Sequence, residues 1–386
     1  MYISKTKQPI YVIILLILSG EAVFILPFVL ARIFKPTFLE VFDISNLQWG
    51  ICGSVYGLVA LFSYIFGGSL ADKYHPRYLI SAALILTAFG GVYFSTFPDY
   101  THLKYLLGYW GFTTIFLLWA AMIKATRIWG GTEKQGMAFG FLDGGRGLVA
   151  AIFGTLGIFI FSLFIDVDIS ETSLPERKEA FSYVILISSA IVSIIGVLAF
   201  YFLKPLQINE NSNTESSKIL TLSNFKIIMK IPSVWLLMII ILCAYVGYKM
   251  TDIYSLYANK VMLYDELKSA KIGTSLLYIR PVIGVVIGLL ADRTKASLWI
   301  IIGFFLTLIT SLIFATGIIS NQTTLLFMLS IGLMALGVYS VRVLYFAAME
   351  EGKIPIALTG TAVGLMSIIG YTPDIFIGPI IGVLLI

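Results

Sequence analysis

The chain has 386 residues, of which 59% are hydrophobic and only 12% are charged. A soluble protein needs about a quarter of its residues charged to cover its surface, so a water-soluble fold is excluded. Lys and Arg number 26 against 21 Asp and Glu, and the resulting +5 is too small, with no basic run, for a nucleic-acid binder. Both cysteines, Cys52 and Cys243, sit in apolar stretches and read as small buried hydrophobes, which leaves no disulfide framework and no thiolate metal site. The two histidines, His75 and His102, stand near segment ends and build neither a metal cluster nor a nucleophile-base pair. The expectation is a protein that is not an enzyme and that holds no metal or cofactor.

A bilayer core accommodates roughly 20 apolar residues per helix. With that window the chain reads as eleven spans, at 9–33, 47–71, 78–98, 103–127, 136–165, 181–203, 232–259, 270–291, 297–319, 323–349 and 355–378. The first follows Lys5 and Lys7 but is too long for a signal-peptide core and is read as retained. It carries Glu21 at mid-depth. The second ends in Gly68, Asp72 and Lys73, with Arg77 just beyond. Spans three, six and nine contain no Asp, Glu, Lys or Arg, whereas Lys124 lies in the fourth and Asp143 and Arg146 in the fifth. After the sixth comes the longest polar interruption, Lys204 to Lys230, whose Gln207 to Ser217 portion has the composition of a flexible linker. The seventh span carries Lys249 and Asp252 among four tyrosines, Tyr245, Tyr248, Tyr254 and Tyr257. The eighth carries Arg280 beside Pro281 and ends in Gly288, Asp292 and Arg293; the tenth carries Arg342 and the eleventh Asp374 beside Pro373.

These segments predict an all-α polytopic membrane protein with a first bundle at 1–203, a linker at 204–231 and a second bundle at 232–386. With the N-terminus on the cytoplasmic side, thirteen Lys and Arg at span ends are cytoplasmic and eight are not. That bias favours a cytoplasmic N-terminus in a prokaryotic-type inner membrane. Eleven is an uneven count for two halves, and residues 378–386 are still apolar, so the given chain is expected to stop short of a twelfth helix.

One motif occurs twice. The run from Gly68 to Lys73 matches that from Gly288 to Arg293, at the ends of spans two and eight. The glycine permits close helix approach, and the aspartate is placed to meet a neighbouring helix N-terminus and its positive dipole, latching one conformation. Here the chain resembles the major facilitator superfamily, whose loop after the second helix carries Gly-x-x-x-Asp-Arg-x-Gly-Arg-Arg with a weaker copy after the eighth. Gly68, Asp72, Lys73 and Arg77 fit the first copy, although His75 stands where glycine is usual, and Gly288, Asp292 and Arg293 fit the second. The resemblance implies two six-helix bundles related by a pseudo-two-fold axis, a central cavity, and alternating access by rocking of the halves. It also implies that helices three, six, nine and twelve face lipid, in agreement with the charge-free spans.

An ionisable group inside a span costs at least ~2.5 kcal/mol on insertion scales and needs a partner or a wet path. Glu21, Arg146 and Arg280 lie about 15 to 18 Å from their span starts, near the middle of a ~30 Å core. Arg146 and Arg280 are therefore read as candidates to grip one anionic group, since a guanidinium fork matches carboxylate, phosphate or nitrate and stays charged when buried. The structural alternative is neutralisation by fixed acids, Arg146 by Asp143 one turn away and Arg280 by an acid on another helix. Lys249, Tyr245 and Tyr248 complete the candidate solute site, while Tyr254 and Tyr257 read as an interfacial belt. Glu21 and Asp252 are the candidate proton-coupling carboxylates, because a carboxyl held away from water can alternate between neutral and charged forms. Arg32, Lys124, Arg127 and Glu350 read as snorkelling or gate residues, and the glycines from Gly140 to Gly147, with Gly360 and Gly364, as close-packing sites.

The function expected is secondary transport of a small anionic or zwitterionic solute (an organic anion, phosphorylated metabolite, amino acid or peptide), as symport with protons, by a monomer whose partners are its solute and the bilayer. Three alternatives stand beside it. A multidrug-proton exporter is one, although span five lacks the Gly-Pro motif of the superfamily's drug antiporters. A nitrate or nitrite carrier is another, although such carriers place an arginine in span two as well as span eight and span two here has none. The third is a membrane sensor that binds solute without moving it.

Overall fold

The computed structural model describes residues 9–164, 173–204, 222–254, 257–258, 261–264, 266–373 and 377. Most of the linker, 205–221, lies outside the described residues, as do Asp374, the side chain of Asp252 and the terminal stretch where a twelfth helix was expected to begin. Among the described residues the regular structure is entirely helical. Eleven principal helices follow the expected spans: α1 Ile10–Ile33, α2 Asn46–Lys73, α3 Pro76–Phe94, α4 Tyr100–Gly130, α5 Gln135–Ser162, α6 Leu174–Phe202, α7 Pro232–Met250, α8 Glu266–Arg293, α9 Ala296–Ala315, α10 Thr324–Leu344 and α11 Ile356–Gly370. Nine of them are, among the described residues, long and apolar enough to cross a membrane. The other two are α8, several of whose side chains are undescribed, and α11, whose described part is short.

The helix starts are set by local chemistry. Ser45 and Gln48 cap α2 reciprocally, the Gln48 N–H donating to Ser45 Oγ at 3.1 Å and the Ser45 N–H to Gln48 Oε1 at 2.8 Å. Pro76 opens α3 behind His75, whose Nδ1 accepts the Arg77 N–H. Asp99 caps α4 by accepting the Thr101 and His102 N–H groups at 2.8 and 3.0 Å. Glu351 plays that part for α9 from a distance in sequence, accepting the N–H groups of Ala296 and Ser297. Two helices are interrupted by π-helical turns, Ile25–Val29 in α1 and Phe112–Trp119 in α4. The first contains Pro27, which lacks an N–H and crowds the preceding turn, so the ladder must shift register there.

By contacts the chain forms two units. One is Met1–Trp129, Leu148–Phe225 and Ile356–Leu365; the other is Gly130–Gly147, Lys226–Pro355 and Met366–Ile386. Compared with the expected bundles, the first half of α5 groups with the second unit and the start of α11 with the first. In the first unit α3 lies along α6, and α2 along α4. In the second, α9 lies along α10, and α8 along α10. The α8–α10 pairing stands where α2–α4 stands six helices earlier, so the repeat seen in the motif extends to the packing. Large apolar side chains such as Phe89, Ile194, Ile301, Phe305 and Leu312 are exposed on α3, α6 and α9. A helix face that is both apolar and uncharged suits contact with lipid tails. Cys52 is buried as expected, but Cys243 is exposed on α7.

Candidate functional site

The second unit gathers the mid-helix charges around one carboxylate. Asp143 on α5 receives both arms of the Arg280 guanidinium from α8, Nε to Oδ2 at 3.0 Å and Nη2 to Oδ1 at 2.5 Å. Arg342 on α10 donates its Nε to Oδ1 of the same carboxylate at 3.5 Å. Arg146, one turn beyond Asp143 on α5, adds its charge to the field there. Arg280, one of the two candidate arginines, is joined on Asp143 by Arg342, a charge of the tenth span. The paired hydrogen bonds to Asp143 come from the arginine on another helix, the arrangement in which a guanidinium fork matches both carboxylate oxygens.

Tyrosines from α7 line the cluster. The Arg342 guanidinium carbon stands 3.7 Å from the centroid of the Tyr248 ring, and that of Arg280 5.7 Å from it. A cation against the negative face of an aromatic ring is stabilised by ~0.5–2 kcal/mol. Tyr245 stacks with Tyr248 and meets the Tyr371 ring edge-on at 4.9 Å, with Lys249 Nζ 5.3 Å from its own ring. The hydroxyls of Tyr345 and Tyr371 are 3.2 Å apart. Of the α7 candidates, Tyr248 lies beside Arg280, Tyr245 stacks on Tyr248, and Lys249 stands beside Tyr245. The side chains of Arg280, Arg342 and Asp143 keep 10%, 12% and 14% of their exposure, so the cluster is buried without being sealed. Nη1 of Arg342 is buried and makes no hydrogen bond to a described residue. Arg280 and Arg342 thus share the one carboxylate of Asp143.

The repeated motif forms two equivalent helix-end contacts, one in each unit. In the first, Asp72 accepts the Gly360 N–H at 2.6 Å, the Thr361 N–H at 2.7 Å and the Thr361 hydroxyl at 2.6 Å, all at the start of α11. In the second, Asp292 accepts the Gly136 and Met137 N–H groups at 2.7 and 2.8 Å, at the start of α5. Both aspartates satisfy orphan donors at the positive end of a helix. Gly68 and Gly288 are required by these contacts, since a Cβ on either would strike the carbonyl of Gly360 or Gly136 respectively. The same glycine surfaces extend along α5, where Gly140 and Gly144 face Gly284 and Pro281, and along α11, where Gly364 faces the Tyr64 carbonyl.

The cations of the motif are not part of these contacts. Lys73 and Arg293 are exposed, Lys73 lying 5.3 Å from the Tyr74 ring. Arg77 turns away to stack on Tyr78 and Phe200 at 4.5 and 5.6 Å. The partner of Asp72 is Lys124 from α4, buried, 3.8 Å from Oδ1 and donating to the carbonyls of Ala71 and Asp72 at 2.8 and 3.0 Å. A buried ammonium on the last carbonyls of α2 answers the negative end of that helix, which an adjacent exposed lysine cannot do. Arg127, also buried, donates to Thr359 Oγ1 at 2.9 Å. Lys124 and Arg127 are thus buried contacts at helix ends, and Arg32 is exposed. Glu21 is part-buried on α1 in the first unit, and the side chain of Asp252 is outside the described residues. Tyr254 and Tyr257 pack on Phe314 at 5.4 and 5.2 Å, where the ends of α9 and α10 offer rings to stack against.

The helical repeat, the paired helix-end contacts and the buried charge cluster define a polytopic membrane protein of the secondary-transporter class. The chain belongs to the Major Facilitator Superfamily, whose profile matches residues 12–379. It is similar to two Escherichia coli K12 proteins, inner membrane protein YqcE (26% identical, covering 94% of this chain and 84% of that one) and inner membrane protein YihN (24%, 98% and 89%). Among solved structures it is similar to the transporter FucP in the outward conformation, with a TM-score of 0.71 at 16% identity over 96% of this chain and 91% of the other. It is also similar to an outward-facing bacterial homologue of the iron transporter ferroportin, with a TM-score of 0.65 at 16% identity over 97% and 91%. The superfamily consists of transporters rather than enzymes, and the chain is a multi-pass membrane protein.

Proposed function

We propose that the protein is a proton-coupled secondary transporter of a small anionic or zwitterionic solute, working by alternating access in a bacterial inner membrane with its N-terminus inside. The observation that carries the anionic reading is the pair of buried guanidinium groups, Arg280 and Arg342, on the single carboxylate of Asp143, with Nη1 of Arg342 making no hydrogen bond to a described residue. A purely structural arginine is matched by its own acid. A surplus of guanidinium charge inside the membrane is costly unless a mobile anion repays it. The tyrosines beside it supply faces and hydroxyls for the remainder of the solute. Inner-membrane location has the support of the two E. coli relatives. One structural neighbour is described as a fucose:proton symporter, which supports proton coupling as a property of the fold's users; Glu21 and Asp252 are carboxylates to which such a proton can be assigned.

The test is uptake into proteoliposomes from a panel of radiolabelled acetate, succinate, phosphate, hexose phosphate, glutamate and a lipophilic cation, with wild type and Arg342→Lys. The expected result is accumulation of one anionic or zwitterionic compound, with at least tenfold loss in the variant because an ammonium cannot replace the fork. Transport of the cation alone, with no change in the variant, would establish the exporter reading instead.

A further inference from the structure

We infer that the end of the first unit where α2 finishes, α3 begins and α6 finishes binds the headgroup of an anionic phospholipid, with an acyl chain of that lipid lying along α6. Three cations stand there, each against an aromatic ring. Lys73 Nζ is 5.3 Å from the centroid of Tyr74, the Arg77 guanidinium carbon 4.5 Å from that of Tyr78 and 5.6 Å from that of Phe200, and Lys204 Nζ 5.9 Å from that of Tyr201. Because Arg77 reaches across to Phe200, just before Lys204 in the chain, the charges of the α2–α3 turn and of the α6 terminus share one surface. Tyr78 meets Phe200 edge-on at 5.9 Å, which fixes α3 against α6 at that level. A ring face answers charge without using up hydrogen-bond donors. The Arg77 side chain bonds the Tyr78 hydroxyl through Nη2, and its buried Nε makes no hydrogen bond to a described residue.

Among the described residues of the segments that meet there, 60–85 and 190–204, Asp72 is the one acid. Its oxygens are taken by the Gly360 and Thr361 N–H groups and the Thr361 hydroxyl, with Lys124 beside them. Lys73, Arg77 and Lys204 enter no ion pair among the described residues. The surface therefore fits a negatively charged partner, and a guanidinium flanked by two ammonium groups matches a phosphodiester. What lies beside the cations makes that phosphate a lipid's. Ile194, Val197, Leu198 and Tyr201 are exposed at helical spacing along α6, an apolar stripe that leads to Lys204. At 1.5 Å per residue it runs about 15 Å, half of a ~30 Å bilayer core and so the depth of one leaflet. A soluble phosphate would use the charges and leave the stripe bare. Snorkelling alone would carry each cation outward into water; folded onto rings, these cations stay at the interfacial level where headgroups lie.

The experiment uses the full chain, purified in detergent and stripped of lipid, then titrated with dioleoylphosphatidylglycerol, dioleoylphosphatidylcholine or glycerol 3-phosphate and followed by native mass spectrometry. The expected result is one phosphatidylglycerol held per chain, at least about tenfold tighter than phosphatidylcholine, with no glycerol 3-phosphate adduct. Arg77→Gln combined with Lys204→Gln is expected to weaken phosphatidylglycerol binding at least about tenfold, and Lys204→Gln alone about fivefold. Lys104→Gln removes a cation held 4.5 Å from the Tyr100 ring where α4 begins, and is expected to leave the affinity unchanged. Absence of a phosphatidylglycerol adduct, equal retention of the two lipids, or the same loss in Lys104→Gln would overturn the inference. So would glycerol 3-phosphate binding as tightly as the lipid, which would make the surface a site for soluble phosphates. Lys204 is exposed past the end of α6, so Lys204→Gln decides even where the double variant does not fold. Unchanged affinity in either variant would overturn the assignment of the site.

Discussion

Arg280 and Asp143, 137 positions apart in the chain, meet through two parallel hydrogen bonds, and Arg342 reaches the same aspartate from a third helix. The pairing joins two helices through one carboxylate, and its energetics are separable by mutation. Removing one partner of a buried ion pair leaves the other without compensation and costs roughly 3–5 kcal/mol. Here Arg342 remains beside Asp143, so Arg280→Gln is expected near or below the bottom of that range. The double variant Asp143→Asn, Arg280→Gln should recover part of the loss, with a coupling energy of roughly 0.5–3 kcal/mol in thermal or denaturant unfolding. Strict additivity of the two single variants would show that the pair is energetically idle.

The Arg342 guanidinium lies over the face of the Tyr248 ring, 3.7 Å from its centroid. Tyr248→Phe should therefore keep the affinity for the transported anion within about threefold. Tyr248→Ala should lose ~0.5–2 kcal/mol of binding or stability. Equal losses in both variants would assign the contribution to the hydroxyl.

Asp72 and Asp292 serve equivalent helix starts in separate units, so their effects should be local and distinct. Asp72→Asn turns an amide toward two N–H donors and should weaken the start of α11 by about 1 kcal/mol. The amides of Gly360 and Thr361 would then exchange with solvent roughly fivefold faster in deuterium-exchange mass spectrometry, while those of Gly136 and Met137 respond only to Asp292→Asn. Equal acceleration at both helix starts in either single variant would contradict the assignment.

Glycine at 68 is demanded by the carbonyl of Gly360, whereas Gly53, on the same helix, has no atom within 4 Å of where a Cβ would stand. Gly68→Val is expected to destabilise by roughly 1–3 kcal/mol through enforced separation of backbones. Gly53→Val should stay within about 0.5 kcal/mol of wild type. A reversal of that order would mean that the close approach of α2 and α11 is not a feature of the folded protein.

Much of this arrangement is written in local pattern. Apolar runs of membrane length announce the helices, and a motif repeated at the ends of α2 and α8 announces both the internal duplication and the role of Asp72 and Asp292. Neighbour relations across the fold are a different matter. Whether Asp72 pairs with Lys73 or Lys124 depends on α4 lying along α2, which no short-range spacing encodes. Arg342 was visible as an intramembrane charge, but its convergence on Asp143 required the packing of α10 on α8. The packing of Tyr254 and Tyr257 on Phe314 likewise depends on which helix ends lie opposite them.

The most direct test of the anionic site is a thermal-shift screen of the purified chain against anionic, zwitterionic and cationic solutes, repeated with Arg280→Ala. A ligand bound to the folded state raises apparent stability with the logarithm of its concentration over its dissociation constant, so a shift identifies the solute class. The account predicts stabilisation by an anionic or zwitterionic compound that disappears in the variant. Stabilisation by lipophilic cations alone, equal in wild type and variant, would contradict it.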